Sequence, residues 1–362
     1  MPLNITGGLS PEPKIKVGFI GCGSHAFRNI YPTFQFAPVQ LIATCDLNAE
    51  KAAAYAKQFG ADRSYSNHHE MLKKEDLDAV FIVTNYDEEG RPRYPALAAD
   101  CLKAGCHVWT EKPAAATSDD LAKLRGLVGD LNFMVGLKKM FFPANEKAKE
   151  LMESPDFGTA SLVQLQYPMP IPTVDEFSRY LNGRENLKSV IGFLDHLCHP
   201  VSLLLFLSGM PKTLYYDRAT SGAGVAMFKY ADGRLATISL THGSAGPLER
   251  TVITSDRWRQ IVVENNIRLT YHRNPPGDGY GSTTNHFKGT PDQTSAIWEP
   301  EFSLGQLYNK GLFLLGYYNE VLEFASSILQ KRKLAKGHLE HAWQATRIFE
   351  AFAEGPGKAI TL

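Results

Sequence analysis

A glycine-rich turn directly after the first apolar strand is the feature that most restricts the fold of this chain. The strand is predicted over residues 16–20, and the turn has the spacing G-x-G-x-x-A before a helix that begins at about His25. In such a turn the first glycine permits the tight reversal, the second lets an anion approach the backbone, and the small last residue allows close helix packing. Free N–H groups at the helix start can hold a phosphate. The turn residues predicted to contact a dinucleotide are Gly21, Cys22, Gly23, Ser24, His25 and Ala26.

Short apolar strands alternate with amphipathic helices through the first third of the chain. This spacing is typical of βαβ units and predicts a doubly wound parallel sheet. An ordinary glycine turn is the alternative interpretation, but its place between a strand and a helix favours a dinucleotide site. After the turn, strands are predicted over 39–45, 79–83, 107–110 and 132–136, and helices over 49–59, 94–104 and 118–129.

Asp46 ends the second predicted strand, about 20 residues beyond the glycine turn, where a carboxylate can accept hydrogen bonds from the adenosine ribose. The same charge would repel the 2′-phosphate of NADP. No lysine or arginine follows at positions 47–50, so the sequence favours NAD over NADP, although Lys51 leaves NADP open. Asp46 could also be the N-cap of the helix that begins at Ala49, a role compatible with ribose binding.

The chain is predicted to contain a flexible leader (1–13), a nucleotide-binding Rossmann domain (14–138) and a second, α+β domain (139–362) for substrate binding and dimerisation. Alternating runs separated by glycine breaks predict that the second domain holds a large, open, mostly antiparallel sheet, whose free face would suit a dimer contact. The segment 274–300 is predicted to be a loop. The closing helices are expected to pack back on the Rossmann domain. In this half, helices are predicted over 144–153, 317–330 and 338–352, and strands over 161–167, 224–230, 235–241, 249–254, 260–264, 267–271 and 359–362.

Composition excludes several classes of protein. Lysine plus arginine equals aspartate plus glutamate at 38 each, so no net charge would draw the chain to a nucleic acid or an anionic membrane. The longest apolar stretch, 201–207, is shorter than the roughly 20 residues of a membrane helix. Five cysteines without a C-x-x-C pair indicate reduced thiols, and no signal peptide is evident at the N-terminus. We therefore expect a cytoplasmic protein.

Glu111, Lys112 and Pro113 follow directly after the predicted strand 107–110, at the carboxyl edge of the sheet where ligands bind in such folds. A lysine here could be a solvated surface charge. It could instead project toward the nicotinamide, where an ammonium orients a substrate hydroxyl and stabilises a developing alkoxide.

Asp195 and His199 form a second group, since an i, i+4 spacing on a helix places them on one face. A histidine has a pKa suited to accepting a proton in alcohol oxidation. A core histidine beside a nearby aspartate is the alternative. A metal site that adds His196 and Cys198 is disfavoured, because near-consecutive helical side chains fan out around the axis. No metal is predicted.

These motifs, in this order, resemble the Gfo/Idh/MocA family of glucose-fructose oxidoreductase, inositol dehydrogenase and rhizopine-catabolism proteins. The resemblance runs from the glycine turn through Asp46, Glu111-Lys112-Pro113 and Gly192-x-x-Asp195-x-x-x-His199 to the closing segments 316–320 and 359–362. It implies a homodimer or homotetramer and hydride transfer between NAD(P) and a hydroxyl carbon of a sugar, cyclitol or related polyol. It also implies that Lys112, Asp195 and His199 are the catalytic residues, Lys112 binding the hydroxyl and His199 moving its proton.

The chain departs from the family pattern at two places. Thr84 and Asn85, predicted to contact the cofactor with Glu111 and Lys112, are followed by an unusually long charged loop (87–93). Lysines stand where the family often has arginines, after the last Rossmann strand. Candidate substrate contacts are Lys138, Tyr167, Arg179 and Asn186.

The predicted function is therefore NAD(P)-dependent oxidation or reduction of a small polyol or sugar. Two alternatives stay open. One is a glycosidase that uses bound NAD without net redox change, and the other is a dinucleotide-binding sensor that catalyses no reaction. An intact set of Lys112, Asp195 and His199 argues against the sensor, because a sensor does not need these groups.

Overall fold

A computed structural model of the chain describes residues 13–243, 246–273, 295–299 and 310–362. The predicted leader, apart from Pro13, lies outside the described residues, as does most of the predicted loop 274–300. Within these residues the chain forms two sheets, of six and nine strands, with helices packed on both.

The first sheet is fully parallel, with strand order β3-β2-β1-β4-β5-β6. Chain order reverses beside β1, so β1 and β4 are neighbours whose carboxyl ends form a crevice. The central strand β4 is buried at every residue, as expected where helices cover both faces. The strands are Ile15–Ile20 (β1), Val39–Cys45 (β2), Arg63–Tyr65 (β3), Ala79–Ile82 (β4), His107–Thr110 (β5) and Phe133–Val135 (β6).

Helices connect these strands, as predicted, but the first one differs from an ordinary α-helix. It runs as a π-helical turn, Ala26–Ile30, into a 3₁₀ turn, Tyr31–Gln35, with Pro32 in the second turn. A short helix, α2, was not predicted, and Asn67 caps it. The helices are Ala49–Phe59 (α1), His68–Lys74 (α2), Tyr94–Lys103 (α3) and Ser118–Val128 (α4).

The second sheet has the order β14-β13-β12-β11-β7-β10-β9-β8-β15. One pair of neighbours, β7 with β10, is parallel and the other pairs are antiparallel, which confirms the predicted mostly antiparallel sheet. Its strands are Ala160–Pro168 (β7), Thr213–Arg218 (β8), Gly224–Lys229 (β9), Leu235–Thr241 (β10), Arg250–Ser255 (β11), Arg259–Glu264 (β12), Arg268–Arg273 (β13), Ala296–Trp298 (β14) and Ala359–Thr361 (β15).

Strand β14 corrects part of the prediction for residues 274–300. Residues 296–298 were predicted to be loop, but they pair with Leu269, Thr270 and Tyr271 and extend the sheet by one edge strand. The run Ala-Ile-Trp is short, and no periodicity can be recognised in three residues. Only pairing with β13 makes it a strand.

Six helices lie among the described residues of the second half of the chain. The helix α6 was not predicted, although Thr173 and Glu176 form a capping box that marks its start. Helices α9 and α10 contact the first sheet as well as the second half. Phe324 of α9 packs edge-on against Phe81 of β4, and the backbone of His338, the N-cap of α10, forms a β-bridge with Met134 of β6. The helices are Pro143–Met152 (α5), Val174–Leu181 (α6), Lys188–Ser208 (α7), Lys310–Leu314 (α8), Tyr317–Leu329 (α9) and Leu339–Ala353 (α10).

Helix α7 carries Asp195 and His199 and is the longest described helix, at 21 residues. It is long and apolar enough to cross a membrane, so length alone does not exclude that role. However, 67% of its most apolar window is buried inside the protein, where it contacts β7 and α10. Helix α7 is therefore a core helix of the second domain.

The outer face of β8 and β9 carries exposed apolar side chains, including Tyr215, Val225 and Met227. Tyr215 and Met227 are directly opposed across the two strands. The sheet face predicted to support dimerisation thus exposes these apolar side chains. The oligomeric state itself stays a prediction. All five cysteines are free thiols.

Candidate functional site

The glycine turn lies at the carboxyl end of β1, beside the end of β4. Gly21 has φ +106°, and a Cβ built there would lie 1.8 Å from the Val83 carbonyl oxygen. Ala26 is fully buried, so a larger residue would push the helix off the sheet. At Gly23, by contrast, a Cβ would meet no atom of the protein within 4 Å. The protein itself therefore requires Gly21, whereas open space at Gly23 suits a ligand that approaches the backbone.

We expect Gly23→Ala to leave the midpoint of thermal unfolding unchanged while weakening dinucleotide binding. A steric conflict of about 1–3 kcal/mol with the bound phosphates would raise the NAD Kd roughly 10- to 100-fold. Fluorescence titration with NADH measures that Kd. The matched control is Gly126→Ala in α4, which also has free space around its Cβ and lies away from the turn. Unchanged NADH affinity in Gly23→Ala would contradict the assignment.

The Asp46 carboxylate is hydrogen-bonded to the glycine turn. Its Oδ2 accepts the Cys22 backbone N–H at 2.8 Å, and its Oδ1 accepts the Asn48 N–H at 2.9 Å. Asn48, not Asp46, is the N-cap of α1, since its side chain accepts the Lys51 N–H. This replaces the capping interpretation of Asp46. Its charge is held beside the phosphate-binding turn, where the ribose of a dinucleotide would lie.

A cleft of about 300 Å³ opens at the ends of β1, β4 and β5. It brings together predicted cofactor residues from the three strand ends with Asp195 from α7. The Thr84 hydroxyl oxygen at this cleft is buried and has no hydrogen-bond partner in the part of the chain that the structure describes. A polar ligand could satisfy that group. The cleft is lined by Gly23, Ser24, His25, Val83, Thr84, Asn85, Tyr86, Pro92, Tyr94, Glu111, Lys112 and Asp195.

Glu111 is buried at the floor of this cleft and accepts a hydrogen bond from His25 Nε2 at 2.8 Å. Burial alone would raise the pKa of Glu111, but the hydrogen bond with His25 and the positive charge of Lys112 outweigh it and lower the pKa. Glu111 is therefore ionised and holds the His25 ring against the cleft. On the other side of the ring, the Asn29 side-chain nitrogen lies 3.1 Å from His25 Nδ1.

Lys112 reaches across from the first domain to α7. Its Nζ lies 2.8 Å from Asp195 Oδ1 and 3.3 Å from the Asp195 carbonyl oxygen, and 13% of its side chain is exposed. Burial lowers the pKa of Lys112, but the negative charges of Asp195 and Glu111 outweigh it and the pKa is raised. Lys112 is thus a protonated hydrogen-bond donor and cannot serve as a base at neutral pH.

Tyr86 also donates to Asp195 Oδ1, at 2.9 Å. Sequence reasoning missed this residue. The only signal was its position, directly after Thr84 and Asn85 at the carboxyl end of β4, where side chains reach the cleft. Its partner is 109 positions away in the chain.

His199 lies one turn beyond Asp195 on α7 and is half-buried. Burial lowers the pKa of His199 well below its ordinary value, and the positive charges of Lys112, Lys139 and Lys138 lower it further. The imidazole is therefore neutral at neutral pH and free to accept a proton. The Asp195 carboxylate bonds instead to Lys112 and Tyr86.

Two of the four substrate candidates lie near His199. The buried Tyr167 ring is 6.0 Å from the His199 ring, and its hydroxyl is 3.2 Å from His196 Nδ1. Lys138 Nζ donates to the Tyr317 hydroxyl at 2.8 Å and lies 4.6 Å over that ring. Tyr317, missed from the sequence, in turn faces His25 edge-on at 6.0 Å.

The other two candidates are held elsewhere. Arg179 is exposed and pairs with Glu185 at 2.6 Å. The Asn186 amide donates to the Glu88 carbonyl oxygen at 2.9 Å. Neither residue lines the cleft, and each polar head has a partner elsewhere in the protein. These two assignments are not supported by the geometry.

The four residues considered for a metal site do not converge. Asp195 bonds to Lys112, His196 to Tyr167, and the Cys198 thiol to the Leu194 carbonyl oxygen. The side chains fan out around α7 as the helical spacing predicts. A group of side chains that could hold a metal ion lies instead on α2 and α3, where donor atoms of His68, His69 and Asp100 lie within 4.8 Å of one another.

Comparison with known proteins agrees with this geometry. The model of an oxidoreductase family with an NAD-binding Rossmann fold, Gfo/Idh/MocA, matches residues 15–137, and the model of that family's C-terminal domain matches residues 145–258. The chain belongs to the Gfo/Idh/MocA family. This confirms the resemblance inferred from the motifs, and it makes the chain an oxidoreductase with an NAD(P)-binding Rossmann domain.

Relatives of the Gfo/Idh/MocA chain are distant. YrbE of Bacillus subtilis, an uncharacterised oxidoreductase, is 21% identical over 87% of this chain and 86% of its own length. D-xylose 1-dehydrogenase (NADP(+)) 2 of Haloferax volcanii is 24% identical over 55% of this chain, which spans 58% of that enzyme. The crystal structure of myo-inositol 2-dehydrogenase from Lactobacillus plantarum superposes with a TM-score of 0.68, at 18% identity, over 97% of this chain and 100% of its own. That likeness shows the fold.

Proposed function

We propose that this Gfo/Idh/MocA chain is an NAD-dependent dehydrogenase or reductase that acts on a hydroxyl carbon of a sugar, cyclitol or related polyol. The observation that carries the proposal is the ion pair between Lys112 and Asp195 at the rim of the dinucleotide cleft. It joins a cation from the nucleotide domain to a helix of the second domain, one turn from a neutral histidine.

Each residue then has a distinct part in oxidation. The Lys112 ammonium donates a hydrogen bond to the substrate oxygen and stabilises its negative charge as the O–H bond breaks. His199 accepts the hydroxyl proton as a neutral base. Asp195 holds the Lys112 ammonium in place. Bound NAD supplies the acceptor for the hydride that leaves the carbon, and the reverse reaction uses the same groups in the opposite direction.

The test is an assay of turnover by the absorbance of reduced nicotinamide. The purified protein is incubated with NAD⁺ or NADP⁺ and, in turn, with myo-inositol, scyllo-inositol, D-xylose, D-glucose and D-gluconate. Turnover of at least one of these probes supports the proposal. NADH binding without oxidation of any of these probes would contradict it.

We propose NAD as the preferred cofactor because the Asp46 carboxylate is held against the glycine turn, where the adenosine ribose of a dinucleotide would lie. Asp46→Asn removes this charge but keeps an acceptor oxygen for the Asn48 N–H. We expect it to weaken NAD binding roughly tenfold, since a hydrogen bond to a charged acceptor is lost, and to improve NADP binding relative to NAD. Titration with both cofactors measures the ratio of the two Kd values. Asp62→Asn, an exposed aspartate beyond α1, is the control. A wild-type protein that binds NADP as tightly as NAD would contradict the preference.

A further inference from the structure

We propose that Tyr86 is a further positioning residue of the catalytic site, held at the start of the charged loop 87–93 so that its hydroxyl anchors the Asp195 carboxylate opposite Lys112. The inference rests on the proposed function, in which Lys112 and Asp195 act on the substrate hydroxyl. It assigns a role to the charged segment that distinguishes this chain from the family pattern.

The contact is specific to one carboxylate oxygen. Asp195 Oδ1 accepts both the Tyr86 hydroxyl at 2.9 Å and the Lys112 ammonium at 2.8 Å. Burial, with the negative charge of Asp195 next to the ring, raises the pKa of Tyr86 far above its ordinary value. The hydroxyl is therefore always protonated, so Tyr86 acts as a donor and is not a proton acceptor in the reaction.

The charged loop 87–93 is a closed turn with Tyr86 at its base. The Asp87 carboxylate accepts the backbone N–H groups of Glu89 at 3.0 Å and Arg91 at 2.7 Å, and the backbone of Tyr86 bridges to that of Pro92. Such an aspartate-centred turn restricts the backbone on both sides of it. The Tyr86 side chain consequently leaves the turn in a restricted direction.

The turn is also bonded to α6 and to the segment that leads into α7. The Arg91 guanidinium donates to the Leu181 carbonyl oxygen at 3.1 Å, and the Tyr180 hydroxyl donates to the Gly90 carbonyl oxygen at 3.0 Å. Asn186 donates to the Glu88 carbonyl oxygen, which explains why this residue is absent from the cleft. A Cβ at Gly90 would come within 2.2 Å of Ile191 on α7, so the two surfaces are in close contact. The segment that carries Tyr86 is thus hydrogen-bonded to α6 and packed against α7, the helix that carries Asp195.

The hydrogen bond from Tyr86 to Asp195 matters most while the substrate reacts. When a substrate hydroxyl takes one of the hydrogen bonds of Lys112, a carboxylate held by Lys112 alone could rotate away. Asp195 keeps a second donor from Tyr86, so its position does not depend on Lys112. A contact of this kind is expected to support kcat more than substrate or cofactor affinity, because it acts after both have bound.

A double-mutant cycle tests the inference, with wild type, Tyr86→Phe, Asp195→Ala and the double variant, because alanine leaves no acceptor for the Tyr86 hydroxyl. We expect Tyr86→Phe to lower kcat about 10- to 100-fold, as for loss of a hydrogen bond to a charged group, with little change in KM or in the Kd of NADH. In the Asp195→Ala background the same change should cost less than about threefold, because the two residues act through one contact. Tyr215→Phe on the outer sheet face is the control and should retain wild-type kcat.

Equal losses of kcat in both backgrounds would overturn the inference while leaving the proposed function intact. If wild type turns over none of the polyol probes, the proposed function fails, and the unfolding midpoints of the same four proteins still test the contact. Non-additive midpoint shifts would then support the Tyr86 to Asp195 anchor, and additive shifts would overturn it.

Discussion

Lys112→Met is expected to lower kcat about 10²- to 10³-fold, the usual effect of removing one donor that stabilises a developing oxyanion. The structure explains the size of the effect. Lys112 is almost enclosed, with 13% of its side chain exposed, and no other described ammonium bonds to Asp195. Methionine keeps the length and apolar stem of the side chain, so the change isolates the loss of charge.

Steady-state kinetics with saturating NAD⁺ and the polyol that wild type oxidises measure the effect, and NADH titration checks that the cofactor still binds. Lys103→Met, an exposed lysine at the end of α3, is the matched control and is expected to retain wild-type kcat. A Lys112→Met enzyme with wild-type turnover would show that the Lys112 to Asp195 pair has only a structural role.

His199→Ala is expected to lower kcat about 10²- to 10⁴-fold, as for the loss of a general base. His196→Asn is the matched variant that distinguishes the role of His199 from that of the nearby His196. His196 is exposed and bonds to Tyr167, so its replacement should cost much less. Comparable losses in the two variants would leave His199 without a special role.

The pH dependence of wild-type kcat/KM gives an independent test of His199. Its pKa in the folded protein lies below the ordinary histidine value of 6.5, because burial and the lysine charges disfavour the imidazolium. His199 is therefore already neutral above pH 6.5, and activity should fall only as pH drops through a value below 6.5. In Lys112→Met, where residual activity is measurable, this acidic limb should move to higher pH, because one of the positive charges that lower the pKa is gone. If the acidic limb of the wild-type kcat/KM profile lay above pH 6.5, the assignment of His199 as the base would be contradicted.

Most of the nucleotide domain could be predicted from the sequence because its determinants are local. The glycine spacing, the strand-end Asp46 and the run Glu111-Lys112-Pro113 each sit at the end of a strand, and parallel strands bring their carboxyl ends to one edge. The structure shows part of the glycine turn around one cleft with Glu111 and Lys112, and Asp46 is hydrogen-bonded to that turn. Membership of the Gfo/Idh/MocA family followed from the same motifs and is confirmed by the two matching domain models.

The elements that were missed have weak local signals. Strand β14 has three residues and exists through its pairing with β13. Helix α6 has eight residues, and its capping box at Thr173 and Glu176 could have been recognised. Arg179 and Asn186 were interpreted as substrate contacts from their polarity, yet each has a partner within the protein. Polarity alone does not tell which partner a side chain finds.

The sequence by itself determined that a dinucleotide turn, a strand-end carboxylate and a lysine, aspartate and histidine set exist in this chain, because each depends on spacing along a strand or helix. Only the tertiary structure decided what these groups do together. Lys112 meets Asp195 across 83 positions and Tyr86 meets the same oxygen across 109, and such distances depend on how the two domains pack. Packing also sets the burial and the surrounding charges that keep Lys112 protonated and His199 neutral.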